Sequence, residues 1–171
     1  SISEDVINNL APFSYFKAVG DDPPHVMFSV GRGNDINKDT LNNVLNTKQF
    51  VVNMVTEVLA EKMNLTAQSV PSHVDEFALA HIDSIQSIKV KPLRVKESPI
   101  TFECELVHHY FLEDHKNGGA CIIIGRIVMM HFDESVLMDN YKINLENYKP
   151  IARLAGSNYA KIGEIFSVKR N

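Results

Sequence analysis

The sequence predicts a mostly β fold, an antiparallel β-barrel carrying α insertions, on three observations. Ile100–Val107 alternates apolar and polar residues, Cys121–Met130 answers it as a second apolar-rich run, and His25–Val30 repeats the alternation nearer the start of the chain. Short connections between such runs favour antiparallel neighbours, and the two helical patterns between them read as insertions.

Taken in order, Ala11–Val19 is a strand candidate because Phe13, Tyr15 and Phe16 favour an extended backbone, with Pro12 at an edge or bulge. Gly20-Asp-Asp-Pro-Pro24 is a turn signal. In His25–Val30, Val26, Phe28 and Val30 share one face, and Met27 and Ser29 the other. Gly31–Asn37 is loop by composition. A helix is expected from about Thr40, capped by Asp39 or Thr40, with Leu41, Val44 and Leu45 on one side. Phe50–Val55 is a nearly continuous apolar strand interrupted by Asn53, and Thr56 stands where it can cap a second helix whose Val58, Leu59 and Met63 share a face. Residues 66–88 read as loop with one helical turn around Asp75–Ala80.

In the long C-terminal runs, Ile100, Phe102, Cys104 and Leu106 are expected inward and Thr101, Glu103 and Glu105 outward. Asp114–Gly119 reads as a hairpin connection, Gly125 as a bulge or a close approach, and Gly163–Val168 as a last strand. With no internal repeat or linker, residues 1–171 read as one domain.

A chain of 171 residues is long enough to bury a core without disulfides or metals. Its net charge of −4, with Lys and Arg dispersed, excludes a nucleic-acid surface, which needs clustered cations. Cys104 and Cys121 each lie in an apolar alternating run, so they read as buried thiols, a cross-strand disulfide being the alternative. No apolar run approaches the roughly 20 residues of a membrane helix, and there is no signal-peptide pattern; a cytoplasmic location is expected. The chain opens at Ser1-Ile-Ser without Met, which suggests a fragment, a processed chain or a missing N-terminus.

Three groups of residues carry chemistry. Arg32, Lys38 and the helix start near Thr40 gather two cations and unpaired backbone N–H groups, a combination suited to phosphate, the alternative being a capped surface helix. Asn53, alone and polar in its strand, either reads the edge of a heterocycle or satisfies a neighbouring backbone group. The aromatics around Pro12 and Ser14 either wall a flat ring or pack as ordinary core. His108, His109, His115 and His131 are the one histidine cluster; adjacent strand residues face opposite ways, so no metal is expected. The chain has neither GxSxG nor GxGxxG, so neither an activated serine nor a dinucleotide fingerprint is read.

Asn9-Leu-Ala-Pro-Phe-Ser-Tyr-Phe16, Asp22-Pro-Pro24, Lys38-Asp-Thr-Leu41, Phe50-Val-Val-Asn53, Asp75-Glu-Phe77, Glu97-Ser-Pro99, Glu103-Cys104, Ile124-Gly125 and Ile151-Ala-Arg-Leu-Ala-Gly156 with Tyr159 form an ordered set over nearly the whole chain. Together they resemble the flavin reductase-like family, in particular flavoredoxin-type proteins and the reductase components of two-component monooxygenases. The resemblance implies a Greek-key antiparallel split β-barrel, a homodimer, and one FMN per subunit close to the dimer interface. It implies flavin contacts from Ala11, Phe13, Ser14 and Phe16, phosphate contacts from Arg32, Lys38 and Thr40, a hydrogen bond from Asn53, and a contribution from Arg153 and Tyr159. The implied reaction passes electrons from NAD(P)H through FMN to free flavin, oxygen or a partner protein such as a monooxygenase, with no catalytic side chain. Two features depart from the family: its members usually carry a strand ahead of the Asn9 motif, and Asn117-Gly-Gly-Ala-Cys121 stands where many have Gly-Asp-His, a feature tied to nicotinamide use. The second leaves a non-catalytic FMN-binding carrier or sensor as the alternative.

Overall fold

The computed structural model describes residues 1–32, 37–115 and 118–169. In chain order it contains β1 (Phe16–Asp21), β2 (Pro24–Arg32), α1 (Asp39–Thr47), β3 (Gln49–Asn53), a 3₁₀ turn at Glu57–Leu59, α2 (Ala60–Leu65), α3 (Glu76–Leu79), β4 (Ser84–Ile85) and β5 (Arg94–Val95). It continues with β6 (Ile100–His115), β7 (Gly118–Phe132), 3₁₀ turns at Glu134–Val136 and Asp139–Tyr141, α4 (Leu145–Tyr148), β8 (Ile151–Arg153) and β9 (Tyr159–Lys161). The large sheet is antiparallel throughout, in the order β1-β2-β7-β6-β3, and β4–β5 and β8–β9 form two small antiparallel pairs.

One face of the large sheet is the expected apolar core. Val26, Phe28 and Val30 of β2, Phe50 of β3, Cys104 of β6, and Cys121 and Ile123 of β7 bury together under Leu41 and Val44 of α1. The cross-strand partners Phe28 and Ile123, Val30 and Cys121, and Phe50 and Cys104 fix the register, since a one-residue slip would turn each pair outward. Phe28 stacks edge-on with Phe13 and Phe50, at centroid distances of 4.9 and 5.2 Å. Gly125 lies beneath that cluster, where a Cβ would collide with the Phe50 ring. The close approach, not a bulge at Gly125 itself, explains the residue; the extra residue of the local bulge is Val107, on the partner strand β6.

The opposite face departs from expectation. Thr101 and Glu103, expected outward, are 1% and 0% exposed. Alternation marks one face as apolar but cannot show that the 86–95 segment folds back over the other. Four further expectations are corrected. The strand predicted over Ala11–Val19 begins only at Phe16: Pro12 offers no N–H, and the preceding segment is tied to β2 by one bond, Ser29 N–H to the Tyr15 carbonyl at 2.9 Å. The turn shrinks to Asp22-Pro23, because Gly20 and Asp21 pair with His25 and Pro24. The predicted strand at Gly163–Val168 is exposed chain without secondary structure or strand partners among the described residues; the hairpin that forms is β8–β9. Val58 is 88% exposed, because the tighter 3₁₀ winding of Glu57–Leu59 turns it away from Leu59.

The helix caps also differ. Lys38 holds the N-cap position of α1 and makes no side-chain cap, and Asp39 is the first helical residue. Thr56 precedes the 3₁₀ turn without capping it. Asp75, by contrast, caps α3 through the Phe77 N–H, in the predicted helical turn. The loop expected at Gly31–Asn37 and the connection at Asp114–Gly119 fall partly outside the described residues. Cys104 and Cys121 are buried free thiols.

Candidate functional site

A cleft of about 410 Å³ is bounded by the Asn9–Phe16 segment, the first turn of α1, β3 with its continuation to Val55, and the β8–β9 hairpin. Eight of the ten residues singled out in the sequence line it: Ala11, Phe13, Ser14 and Phe16 from the first segment, Thr40 from α1, Asn53 from β3, and Arg153 and Tyr159 from the hairpin. Arg32 and Lys38 are not in its wall. The Arg32 guanidinium lies 5.4 Å from the Phe111 ring centroid, and its Nε donates to Asn37 Oδ1 at 2.9 Å. Lys38 is exposed at the start of α1, and its ammonium makes no ion pair among the described residues.

The Asn9–Phe16 segment is held by a buried polar network. Glu76 accepts from Asn9 Nδ2 at 3.2 Å and from the Leu10 N–H at 3.0 Å, so a buried carboxylate sets the path of the chain entering the cleft. Asn9 Oδ1 in turn accepts from the Thr40 hydroxyl at 2.6 Å and the Ser1 hydroxyl at 2.8 Å. The Thr40 proton is therefore spent within the protein. The backbone N–H groups of the first turn of α1 remain, since the Leu41 and Asn42 N–H groups close onto Lys38 O while those of Asp39 and Thr40 make no such bond among the described residues.

Asn53 makes the backbone contact that was one of the two readings open to it. Its Oδ1 accepts the Val95 N–H at 2.9 Å, which fixes the amide orientation because a backbone donor requires an oxygen opposite it. Its NH₂ makes no hydrogen bond among the described residues, and Asn53 is one of the residues that line the cleft. On the facing hairpin, Arg153 and Tyr159 are direct cross-strand partners, and Arg153 donates to Gly156 O at 3.0 Å. Gly156 has φ of +60°, the left-handed conformation that favours glycine and closes this turn.

Sequence reasoning missed three contributors. Glu76 and Asn9 build the network that seats the first segment, and the apolar wall from Leu59, Met63, Ile82 and Val95 comes from segments read as loop or helix face. Asn9 and Glu76 both stand in stretches that carry the family resemblance, Asn9–Phe16 and Asp75–Phe77, but nothing in either stretch shows that the two side chains meet. The third is Glu103, whose carboxylate accepts from the N–H groups of Ile88, Lys89 and Val90 at 2.8, 2.5 and 3.2 Å and pairs with His131 Nε2 at 2.6 Å. Burial pushes its pKa up, but those hydrogen bonds outweigh it and hold the carboxyl below its ordinary range. The histidine once weighed for metal is thus committed to a carboxylate. Burial raises the thiol pKa of Cys104, the Glu103 charge adding to it, and raises that of Cys121, so neither is a thiolate nucleophile at neutral pH.

Apolar walls with Phe13, Phe16, Phe28 and Phe50, a free amide NH₂, and helix-terminal N–H groups beside a lysine suit a flat heterocycle bearing an anionic tail. A family model described as the flavin reductase like domain matches residues 3–149. The chain belongs to the flavin reductase-like family. An uncharacterised Aquifex aeolicus protein is 41% identical over 162 residues, covering 94% of this chain and 80% of that protein. The crystal structure of nitrilotriacetate monooxygenase component B from Bacillus cereus is 37% identical with a TM-score of 0.93, covering 98% of this chain and 83% of that one. A Shewanella frigidimarina protein with a split barrel domain, 19% identical, shares the fold at a TM-score of 0.86 over 100% of this chain and 83% of its own. The flavin reductase-like fold of this chain is a mostly β, antiparallel split barrel with α insertions. No described helix is long and apolar enough to cross a membrane.

Proposed function

We propose that this flavin reductase-like chain is an FMN-dependent oxidoreductase that passes electrons from NAD(P)H to free flavin, oxygen or a partner protein. The observation that carries the reading is the convergence of eight sequence-selected residues, from four separate segments, on one cleft. Bound FMN would supply the redox chemistry. The chain's own part is to bind and orient: Phe13 and Phe16 as apolar wall, Ser14 and the Ala11 backbone beside it, Asn53 NH₂ as an edge donor, and Arg153 and Tyr159 from the hairpin. Lys38 and the first amides of α1 are proposed to hold the phosphate, Thr40 to brace that turn through Asn9, and Arg32 to add long-range positive charge.

The relation to a monooxygenase component B supports a monooxygenase as the accepting partner. A homodimer is proposed on the exposed apolar side chains of the β6–β7 ribbon, Tyr110, Phe111, Leu112, Met130 and Phe132. A cytoplasmic site of action and a single domain over the whole chain complete the reading. The Asn117–Cys121 stretch, without Gly-Asp-His, favours the FMN-binding carrier or sensor as the second reading.

An anaerobic spectral titration decides between them. Flavin bands that bleach on adding NADH or NADPH support the reductase; bands that persist but bleach with dithionite support the carrier; a chain that takes up no FMN overturns both. Lys38→Ala is expected to weaken FMN binding roughly ten-fold, the scale of one charge-assisted hydrogen bond.

A further inference from the structure

We propose that Glu103 is a positioning residue for the cleft, fixing Asn53 from the neighbouring strand on the same face of the sheet; the inference rests on the FMN reading of that cleft. Glu103 is fully buried and does not itself line the cleft. Three consecutive amides, those of Ile88, Lys89 and Val90, point at its two oxygens, His131 closes the same carboxylate at 2.6 Å, and Arg94 Nε lies 3.8 Å from Oε1. The carboxylate therefore grips the covering segment at both ends, through the 88–90 amides and through Arg94 of β5. The next residue, Val95, donates the N–H that orients Asn53, the one hydrogen bond of that side chain among the described residues.

Register places these groups side by side. Val51 pairs with Glu103 and Asn53 with Thr101, so Asn53 and Glu103 project from the same face of adjacent strands, two residues apart. Lys91 N–H, which donates to Gln49 Oε1 at 2.9 Å, pins the middle of the covering segment to β3. A buried charge in so many hydrogen bonds leaves the 88–95 segment one well-defined position, and that position sets which atom of the Asn53 amide the cleft receives. If the segment shifts, Asn53 loses its fixed acceptor role and its NH₂ loses its direction.

Two measurements test this. The first is amide hydrogen exchange in the wild-type chain without flavin: Ile88, Lys89, Val90 and Val95 are expected to share one protection factor, as a unit opening together. The second is a double-mutant cycle on FMN affinity with Glu103→Gln and Asn53→Ala. Glu103→Gln alone is expected to weaken FMN roughly ten-fold, and less than about two-fold when Asn53 is already Ala, because one acts through the other. Additive losses, or a Val95 amide exchanging independently of Ile88–Val90, overturn the proposal, and the exchange experiment decides it even where Glu103→Gln does not fold. Shared protection in a chain that takes up no FMN overturns the flavin reading while upholding the positioning of Asn53. Independent exchange in a chain that binds FMN does the reverse.

Discussion

At its β3–β6 end the large sheet is buried on both faces, by opposite means. On the α1 face, Phe28, Phe50, Cys104, Cys121 and Ile123 meet Leu41 and Val44 in an apolar cluster. On the other face, Asn53, Thr101 and His131 stand in cross-strand register, with Glu103 two residues along the same face, under the 86–95 segment, and the fit depends on hydrogen bonds from backbone amides. An apolar face tolerates rearrangement as long as volume is kept. A polar face does not, because each buried donor left alone costs its full desolvation.

The largest effect should therefore come from the polar face. Glu103→Ala strands three amide donors and His131 at once, and denaturant unfolding is expected to show a loss of about 3–5 kcal/mol, the range for breaking a buried charged partnership. A loss no larger than that of an ordinary surface substitution would mean that water enters and satisfies those amides. The acid limb carries the same signature. The carboxyl is held below its ordinary value of 4.5 in the folded chain. Its stabilising contribution is therefore complete above the unfolded value and disappears as pH falls through the lower folded one. The stability gap between wild type and Glu103→Gln should narrow below about pH 4.5; a gap that stays constant with pH would place the carboxyl's proton affinity at its ordinary value.

The apolar face should respond next, at its tightest point. Gly125→Ala places a methyl against the Phe50 ring, which is also locked between Phe28 and the sheet, and is expected to cost about 1–3 kcal/mol. Adding Phe50→Leu should recover part of that loss if ring contact is the cause. No recovery would assign the loss to the Glu105 carbonyl, 3.3 Å from the same methyl position.

This contrast also explains what was legible in the sequence. The apolar face was: Val26, Phe28 and Val30, then Ile100, Phe102 and Cys104, declare their side by period alone. The cleft was legible only in pieces: Ala11–Phe16, Thr40 and Asn53 each left an ordinary structural reading open, and the family resemblance, not spacing, joined them with Arg153 and Tyr159. The polar face was not. Glu103 in an alternating strand looks like any solvated carboxylate, since its partners are backbone amides, which every residue but proline possesses and no sequence pattern advertises. Glu76 escaped for the same reason, with one of its two bonds going to the Leu10 backbone. The Thr40 hydroxyl was assigned outward to a ligand because its true partner, Asn9, is 31 residues away.

The smallest effect belongs to the one atom of the polar face that breaks its rule. Thr101 Oγ1 is the one buried side-chain oxygen or nitrogen among the described residues without a hydrogen-bond partner, although it sits in register between Asn53 and His131. A lone buried hydroxyl contributes desolvation cost and no bond, so replacing it by a methyl of the same shape removes a penalty and no interaction. Thr101→Val is thus expected to leave stability unchanged or raise it by up to about 1 kcal/mol, with the hydrogen bonds of Glu103 and Asn53 intact. Destabilisation by a similar amount would instead identify a buried water bridging Thr101 to Asn53 or His131, since such a water needs several polar partners and would lose one here. The sign of that single substitution therefore tells whether the row from Asn53 to His131 is interrupted at its centre or joined through solvent.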